Sequence, residues 1–269
     1  GSASDTLISI ENLIGSGFND SLTGNTANNV LDGGAGSDFL NGATGADTML
    51  GGDGTDSYAV DHAGDVVSES NSSLASGGND IVYSYLAAYT LTANVERLRL
   101  MLAGASNGTG NALDNTLYAG DGNNVLNGVS GVDTASYQFA TAAVSVSLAT
   151  TAAQVTGGSG SDTLQNIDNL VGGTQADTFT MGVAGSLSGS LDGGQGADLL
   201  DYSAYGTSVS VDLTAGPPGT ATNITGGLLA GTGGDIGSSI EHVFGVSAAD
   251  TIVGDVDVNT IRGNGGSDT

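Results

Sequence analysis

A period of nine residues governs the first part of the chain. From Gly15 to Ala59 the sequence divides, with no residue inserted or lost, into GSGFNDSLT, GNTANNVLD, GGAGSDFLN, GATGADTML and GGDGTDSYA. Gly opens every line (Gly15, Gly24, Gly33, Gly42, Gly51). Asp or Asn stands sixth (Asp20, Asn29, Asp38, Asp47, Asp56), and a large apolar or aromatic residue stands eighth (Leu22, Leu31, Leu40, Met49, Tyr58). Nine fits neither a heptad nor the two-residue alternation of a long strand. It fits short strands and tight turns wound into a coil that stacks on itself. The first six positions, rich in Gly, Asn and Asp, suit turns, and the last three form a strand with the eighth residue facing one way and its neighbours the other. Two nonapeptides make one coil of 18 residues, and coils stack at about 4.8 Å. A flexible Gly/Asp-rich linker would show no such register.

Stacking brings Asp20, Asp38 and Asp56 into one column. Carboxylates at that spacing repel unless a cation lies between them. Carboxylate and turn-carbonyl oxygens suit a hard cation, and Ca²⁺ accepts 6–8 of them in flexible geometry. Mg²⁺ demands stricter octahedral geometry, and Zn²⁺ prefers Cys or His, which these turns lack.

On these residues the pattern resembles the RTX (repeats-in-toxin, haemolysin-type) calcium-binding nonapeptide, G-G-x-G-x-D-x-U-x. Gly33 to Asn41 and Gly51 to Ala59 match it at every defined position if Tyr58 is allowed as U. The resemblance implies an all-β fold: a parallel β-roll or β-solenoid with calcium-binding turns, continuous or in tandem modules. It also implies ligand sets. One site takes Gly34, Gly36 and Asp38 with Gly51, Asp53 and Asp56. A second takes Ser16, Phe18 and Asp20 with Gly33, Ala35 and Asp38. On the other edge Asn25, Ala27 and Asn29 face Gly42, Thr44 and Asp47, a weaker site because Asn29 and Ala27 replace Asp and Gly.

Charge points the same way. Asp and Glu number 29 against 3 Arg and no Lys, a net charge of −26. Three Arg cannot supply a phosphate-binding patch, so no nucleic-acid partner is expected, and an anionic membrane surface repels the chain. With 47 Gly and few aromatics the core is thin and backbone ordering is costly. Ion binding is therefore expected to supply the missing folding free energy. Cys is absent, which leaves no disulfide to do so. No run of 18 apolar residues exists, so no membrane span is expected. The chain has no initiator Met or signal peptide and stops at Thr269, the seventh position of a repeat, as expected of a piece of a longer protein.

Four units are expected along the chain: a first roll over 1–59, a spacer with widened coils over 60–109, a second unit over 110–192 with an inserted strand pair, and a third over 193–269. In the spacer, Gly64–Val67, Asn79–Val82 and Val95–Leu102 look like strand pieces, and a separate small β domain is the alternative. The second nonapeptide run, Gly110 to Ser136, allows a weaker site joining Asn115 to Asp133. Further lines at Gly157–Gln165, Gly172–Thr180 and Gly193–Asp201 place Asp162, Asp177 and Asp198 sixth. The last run joins Asp250 to Asp268 with carbonyls of Val246, Ala248, Gly263 and Gly265. A phrase I-[D/E]-x-[L/V] recurs at Ile10–Leu13, Ile167–Leu170 and Ile240–Val243, each time after a leading Asp (Asp5, Asp162, Asp235). Its acid is read as holding a turn rather than as a ligand. A duplication offset by 65 residues relates Tyr137 and Val144–Leu148 to Tyr202 and Val209–Leu213, with Pro217-Pro218 in extra loop of the second copy.

Catalytic readings fail on context. Gly104-Ala-Ser-Asn-Gly108 matches G-x-S-x-G but leads into a turn, not the helix a nucleophile elbow needs. His62 and His242 stand alone, and a general base needs an orienting partner. No zincin or Walker A motif exists. Asp255-x-Asp257-x-Asn259 begins like an EF-hand loop but lacks its Gly and Glu. The expectation is a non-enzymatic, secreted calcium protein of a bacterial surface layer, filament or adhesin, extracellular or on the cell surface. Its partners would be calcium, further copies of itself, or neighbouring surface proteins and polysaccharide. The alternative is an accessory or secretion module of a larger secreted protease, lipase or polysaccharide-modifying enzyme. A stand-alone carbohydrate-binding face is poorly served by eight scattered Tyr.

Overall fold

A computed structural model describes residues 10–71, 77–183, 185–214, 219–228 and 239–269. Asp5, Asp235 and Pro217-Pro218 lie outside the described residues. Among those described there are 27 strands and no helix, in sheets of 4, 13, 5 and 5 strands. No helix there is long and apolar enough to cross a membrane.

The nine-residue period becomes two facing stacks of parallel strands. On one face Asn12–Ile14, Val30–Ala35, Thr48–Asp53 and Val66–Ser68 pair in that order. On the other, Ser21–Thr23, Phe39–Asn41 and Ser57–Val60 pair in turn. Register is set by the eighth positions: Leu31 lies opposite Leu13 and Met49, and Leu40 opposite Leu22 and Tyr58. A one-residue slip would turn every one of them outward, so burial fixes the alignment. The structure corrects one expectation here. The six-residue strands Val30–Ala35 and Thr48–Asp53 run on through Gly33–Ala35 and Gly51–Asp53, so the double glycine is paired backbone as well as turn.

The second stack does not stop where the nonapeptides lapse. Ile81–Ser84 pairs with Ser57–Val60, Arg97–Leu100 pairs with Ile81–Ser84, and Thr116–Tyr118, Thr134–Ser136, Asn169–Val171 and Ser190–Asp192 follow, all parallel. A third stack runs from Ala88–Thr90 through Ser106–Thr109 and Asn124–Asn127 to Gly160–Gln165. A fourth links Ser145–Ser147, Thr178–Thr180, Leu199–Asp201, His242–Phe244 and Thr260–Arg262. The duplicated units each carry an antiparallel pair: Gln154–Gly157 with Gly160–Gln165, and Gly219–Ala221 between Ser210–Asp212 and Ile224–Leu228.

Most strands place one side chain in a single core, some, such as Ser57–Val60 and Arg97–Leu100, place two, and residues between strands such as Val95, Tyr137, Met181, Tyr202 and Ile240 complete it. Leu40 is fully buried within it. Leu40→Ala is expected to cost about 2–5 kcal/mol, read as a lower urea midpoint in saturating calcium. Val155→Ala, at a residue 78% exposed, is expected to stay within about 0.5 kcal/mol.

Candidate metal centre

Strand residues two apart face the same way. The sixth position of a nonapeptide therefore shares the inward face of the apolar eighth. Asp38, Asp47 and Asp56 are accordingly as buried as Leu40, Met49 and Tyr58, all at or below 2% exposure. Burial, the largest cause, raises the pKa of Asp38 and Asp47 above the usual carboxylate range and that of Asp56 to about 6.

Each inward carboxylate gives one oxygen to the coil before it. The Asp20 amide donates to Asp38 Oδ1 at 2.7 Å, that of Asp38 to Asp56 Oδ1 at 2.8 Å, and that of Asp56 to Asp80 Oδ1 at 2.7 Å. The ladder goes on from Asp80 to Glu96 Oε2 at 2.8 Å. Asn115 Nδ2 then reaches the Glu96 carbonyl at 3.3 Å, and the amides of Asn115 and Asp133 donate to Asp133 Oδ1 and Asp168 Oδ2. The other edges repeat the device: Asn29 on Asp47 and Asp47 on Asp65, Asn124 on Asp162, Asp177 on Asp198 and Asp198 on Glu241, and Asp250 on Asp268. Spacing is 18 within nonapeptides and 24, 16, 35, 38, 21 or 43 elsewhere.

Asp80, Glu96, Asp168 and Glu241 were missed as rungs. The signal was present: an acid two residues before an apolar core residue, as in Asp80-Ile-Val82, Glu96-Arg-Leu98, Asp168-Asn-Leu170 and Glu241-His-Val243. In two of the three copies of the recurrent phrase the acid holds backbone of the neighbouring coil, Asp168 accepting from Asp133 N and Glu241 from Asp198 N.

The second oxygen sorts the rungs. In Asp20 it accepts from Ser16 N at 2.6 Å and Ser16 Oγ at 2.8 Å. In Asp177 it accepts from Gly173 N, in Asp250 from Val246 N, and in Asp162 from Thr156 Oγ1. The amide rungs close completely. Asn29 Oδ1 accepts from Asn25 N while its Nδ2 reaches the Ile10 and Glu11 carbonyls, and Asn115 uses Asn111 N, Val95 O and Glu96 O in the same way. Asp38, Asp47, Asp56 and Asp198 differ: each keeps a buried Oδ2 with no hydrogen-bond partner. A buried unpaired carboxylate oxygen is strongly disfavoured, and a cation satisfies it.

Glycine makes the room. A Cβ on Gly33 would run into Asp38 Oδ2 and sit 2.8 Å from the Gly51 carbonyl oxygen. Gly52 and Gly54 hold φ of 106° and 122°, and a Cβ on either would strike the carbonyl oxygen of Gly34 or Gly36. Oxygens of Asp38, Gly34, Gly36 and Gly51 thus face the gap between these coils. The Asp53 and Ser16 carbonyls meet backbone amides there, of Gly36 at 2.8 Å and Ala35 at 3.2 Å, and Phe18 is an exposed side chain. On the opposite edge the Gly42 carbonyl faces Gly24 and the Ala27 carbonyl faces Gly45, while Thr44 is exposed. In the last run Ala248 lies against Gly266, Gly265 over Ser247, and Gly263 beside Asp268. The oxygen-only donors and orphaned carboxylates fit calcium, with Asp38, Asp47, Asp56 and Asp198 the residues that would hold it. Bound there, the ion supplies charge neutralisation and crosslinks neighbouring coils.

Other polar candidates serve the backbone. His62 Nδ1 accepts from Gly64 N and His242 Nδ1 from Thr260 N. Ser106 opens a strand, fully buried, with its Oγ accepting from Asn124 Nδ2. Asp255 N donates to Asn259 Oδ1, the nonapeptide turn rather than an EF-hand loop.

A family model for the RTX calcium-binding nonapeptide repeat matches the chain in four copies, at residues 9–40, 23–58, 104–135 and 237–269. No curated protein matches the chain. The carboxylate ladder continues through the stretches between those copies.

Proposed function

We propose, from the premise that this chain carries RTX calcium-binding nonapeptide repeats, of a kind typical of secreted proteins, that it is a structural calcium protein of a bacterial surface. It folds outside the cell on binding several Ca²⁺ ions and assembles with further copies or with neighbouring surface components. The observation that supports this most is the set of buried, partnerless carboxylate oxygens on Asp38, Asp47, Asp56 and Asp198. The chain makes a cation part of its interior and spends its polar side chains on stacking coils. A non-enzymatic role accords with that use. Calcium modules outside cells bind at roughly 10⁻⁴–10⁻³ M, so such a chain stays unfolded inside the cell and orders where calcium is abundant.

Titrating calcium into the ion-free chain, with circular dichroism and light scattering followed together, tests both halves. Rising β signal followed by growth in scattering mass is the expected result. Dichroism indifferent to calcium would overturn the calcium reading. A chain that stays monomeric at saturation would overturn assembly and favour a module of a larger secreted protein.

A further inference from the structure

The nonapeptide run ends at Ala59, and just beyond it three acids converge. Asp56, Glu69 and Asp80 are all buried, each offering an oxygen within 4.8 Å of the others. Asp56 and Asp80 are successive ladder rungs, and Glu69 enters from the facing side of the coil, next to strand Val66–Ser68. The Tyr58 hydroxyl donates to Glu69 Oε1, and Glu69 Oε2 accepts from Gly52 N at 3.4 Å. A Cβ on Gly51 would strike Tyr58 Oη, Glu69 Oε1 and, at 2.5 Å, Asp56 Oδ2. The space beside Gly51 is therefore walled by oxygen. Asp56, fully buried, aims into it an Oδ2 that has no hydrogen-bond partner.

We propose that Asp56, Glu69 and Asp80, with the Tyr58 hydroxyl beside them, form a separate calcium site at the junction of roll and spacer, built from three carboxylates rather than from turn carbonyls. It rests on the calcium reading above in one respect, since Asp56 also belongs to the nonapeptide column. Three carboxylates on one ion exceed the two per ion implied between nonapeptide coils, and ligand charge raises calcium affinity. This ion is the last to leave under chelation and ties the first roll to the coils that follow. The electrostatics agree. Burial first, then Asp80, Asp56 and Glu96, push the Glu69 pKa up to about 9, and Asp80 is raised to about 7 by burial although Arg97 acts against the shift.

The test uses the whole chain. Calcium binding is measured by equilibrium dialysis for the parent, Glu69→Gln and Asp80→Asn, and Tb³⁺ emission excited through tyrosine is measured for the parent and Tyr58→Phe. Each carboxamide variant is expected to lose one tight ion, its affinity falling about tenfold or more, while the remaining ions stay. Tyr58→Phe is expected to lose the emission that appears with the first equivalent of Tb³⁺. Unchanged stoichiometry and affinity in both carboxamide variants would overturn the site and leave the nonapeptide reading standing. A parent that binds no calcium overturns both. If the carboxamide variants fail to fold, unchanged first-equivalent emission in Tyr58→Phe overturns the site by itself.

Discussion

Chelating divalent ions at pH 8 is expected to abolish the β-sheet dichroism of this chain, and returning calcium in excess to restore it. The reason is quantitative. Net charge is −26 with 3 Arg to offset it, and self-repulsion of that size opposes compaction. Several of those charges are inside: Asp38, Asp47, Asp56, Asp80, Asp133, Asp162, Asp177 and Asp198 are at most 2% exposed. Against this the core is thin, most strands placing a single apolar side chain in it. An ion held at one hundred times its dissociation constant contributes about 2.7 kcal/mol per site, so a few sites match the whole stability of an ordinary domain, about 5–15 kcal/mol. A β signal unmoved by excess EDTA, with metal analysis confirming removal, would contradict the central role given to the ions.

The ion-free chain is expected to become less stable as pH rises from about 4 to about 9, and the calcium-loaded chain more stable over the same range. Burial is the leading cause in every case: it lifts Asp56 and Asp162 to about 6, Asp80 to about 7, Asp198 to about 8 and Glu69 to about 9. An acid whose folded pKa exceeds its unfolded value binds its proton more tightly in the fold. Its contribution is complete below the unfolded pKa, near 4, and is lost as pH climbs through the folded value. Each such proton changes stability by about 1.4 kcal/mol per pH unit inside its window. Calcium reverses the slope because it needs the deprotonated carboxylates and protons compete with it. Thermal midpoints in EDTA and in millimolar calcium should lie close together at pH 5 and separate by pH 8.5, where the EDTA sample loses its folding transition. Parallel trends in the two conditions would show that these carboxyls do not carry the ion.

Much of this was legible because the repeat is local. Gly33, Asp38 and Leu40 stand at fixed offsets, and the alternation of a strand then dictates that Asp38 shares the inside with Leu40. The same rule, an acid two before an apolar residue, would have found Glu96, Asp168 and Glu241. It was obscured because the glycines that mark a nonapeptide are missing around them. The identity of the closed rungs was less visible. Asp20 and Asp38 look alike in sequence, yet Ser16 closes the first and nothing closes the second.

The amino-acid order alone determined the kind of coil, which residues face inward, the oxygen-only chemistry of the edges and hence the class of cation. What only the tertiary structure decided was which coils meet once the spacing leaves 18. It brings Asp80 onto Asp56 across 24 residues, Glu241 onto Asp198 across 43, and Glu69 into the face of both Asp56 and Asp80. A short repeat is written in nearest-neighbour offsets, which a sequence displays. A junction between unequal coils is set by how the strands stack, and that depends on burying the whole core at once.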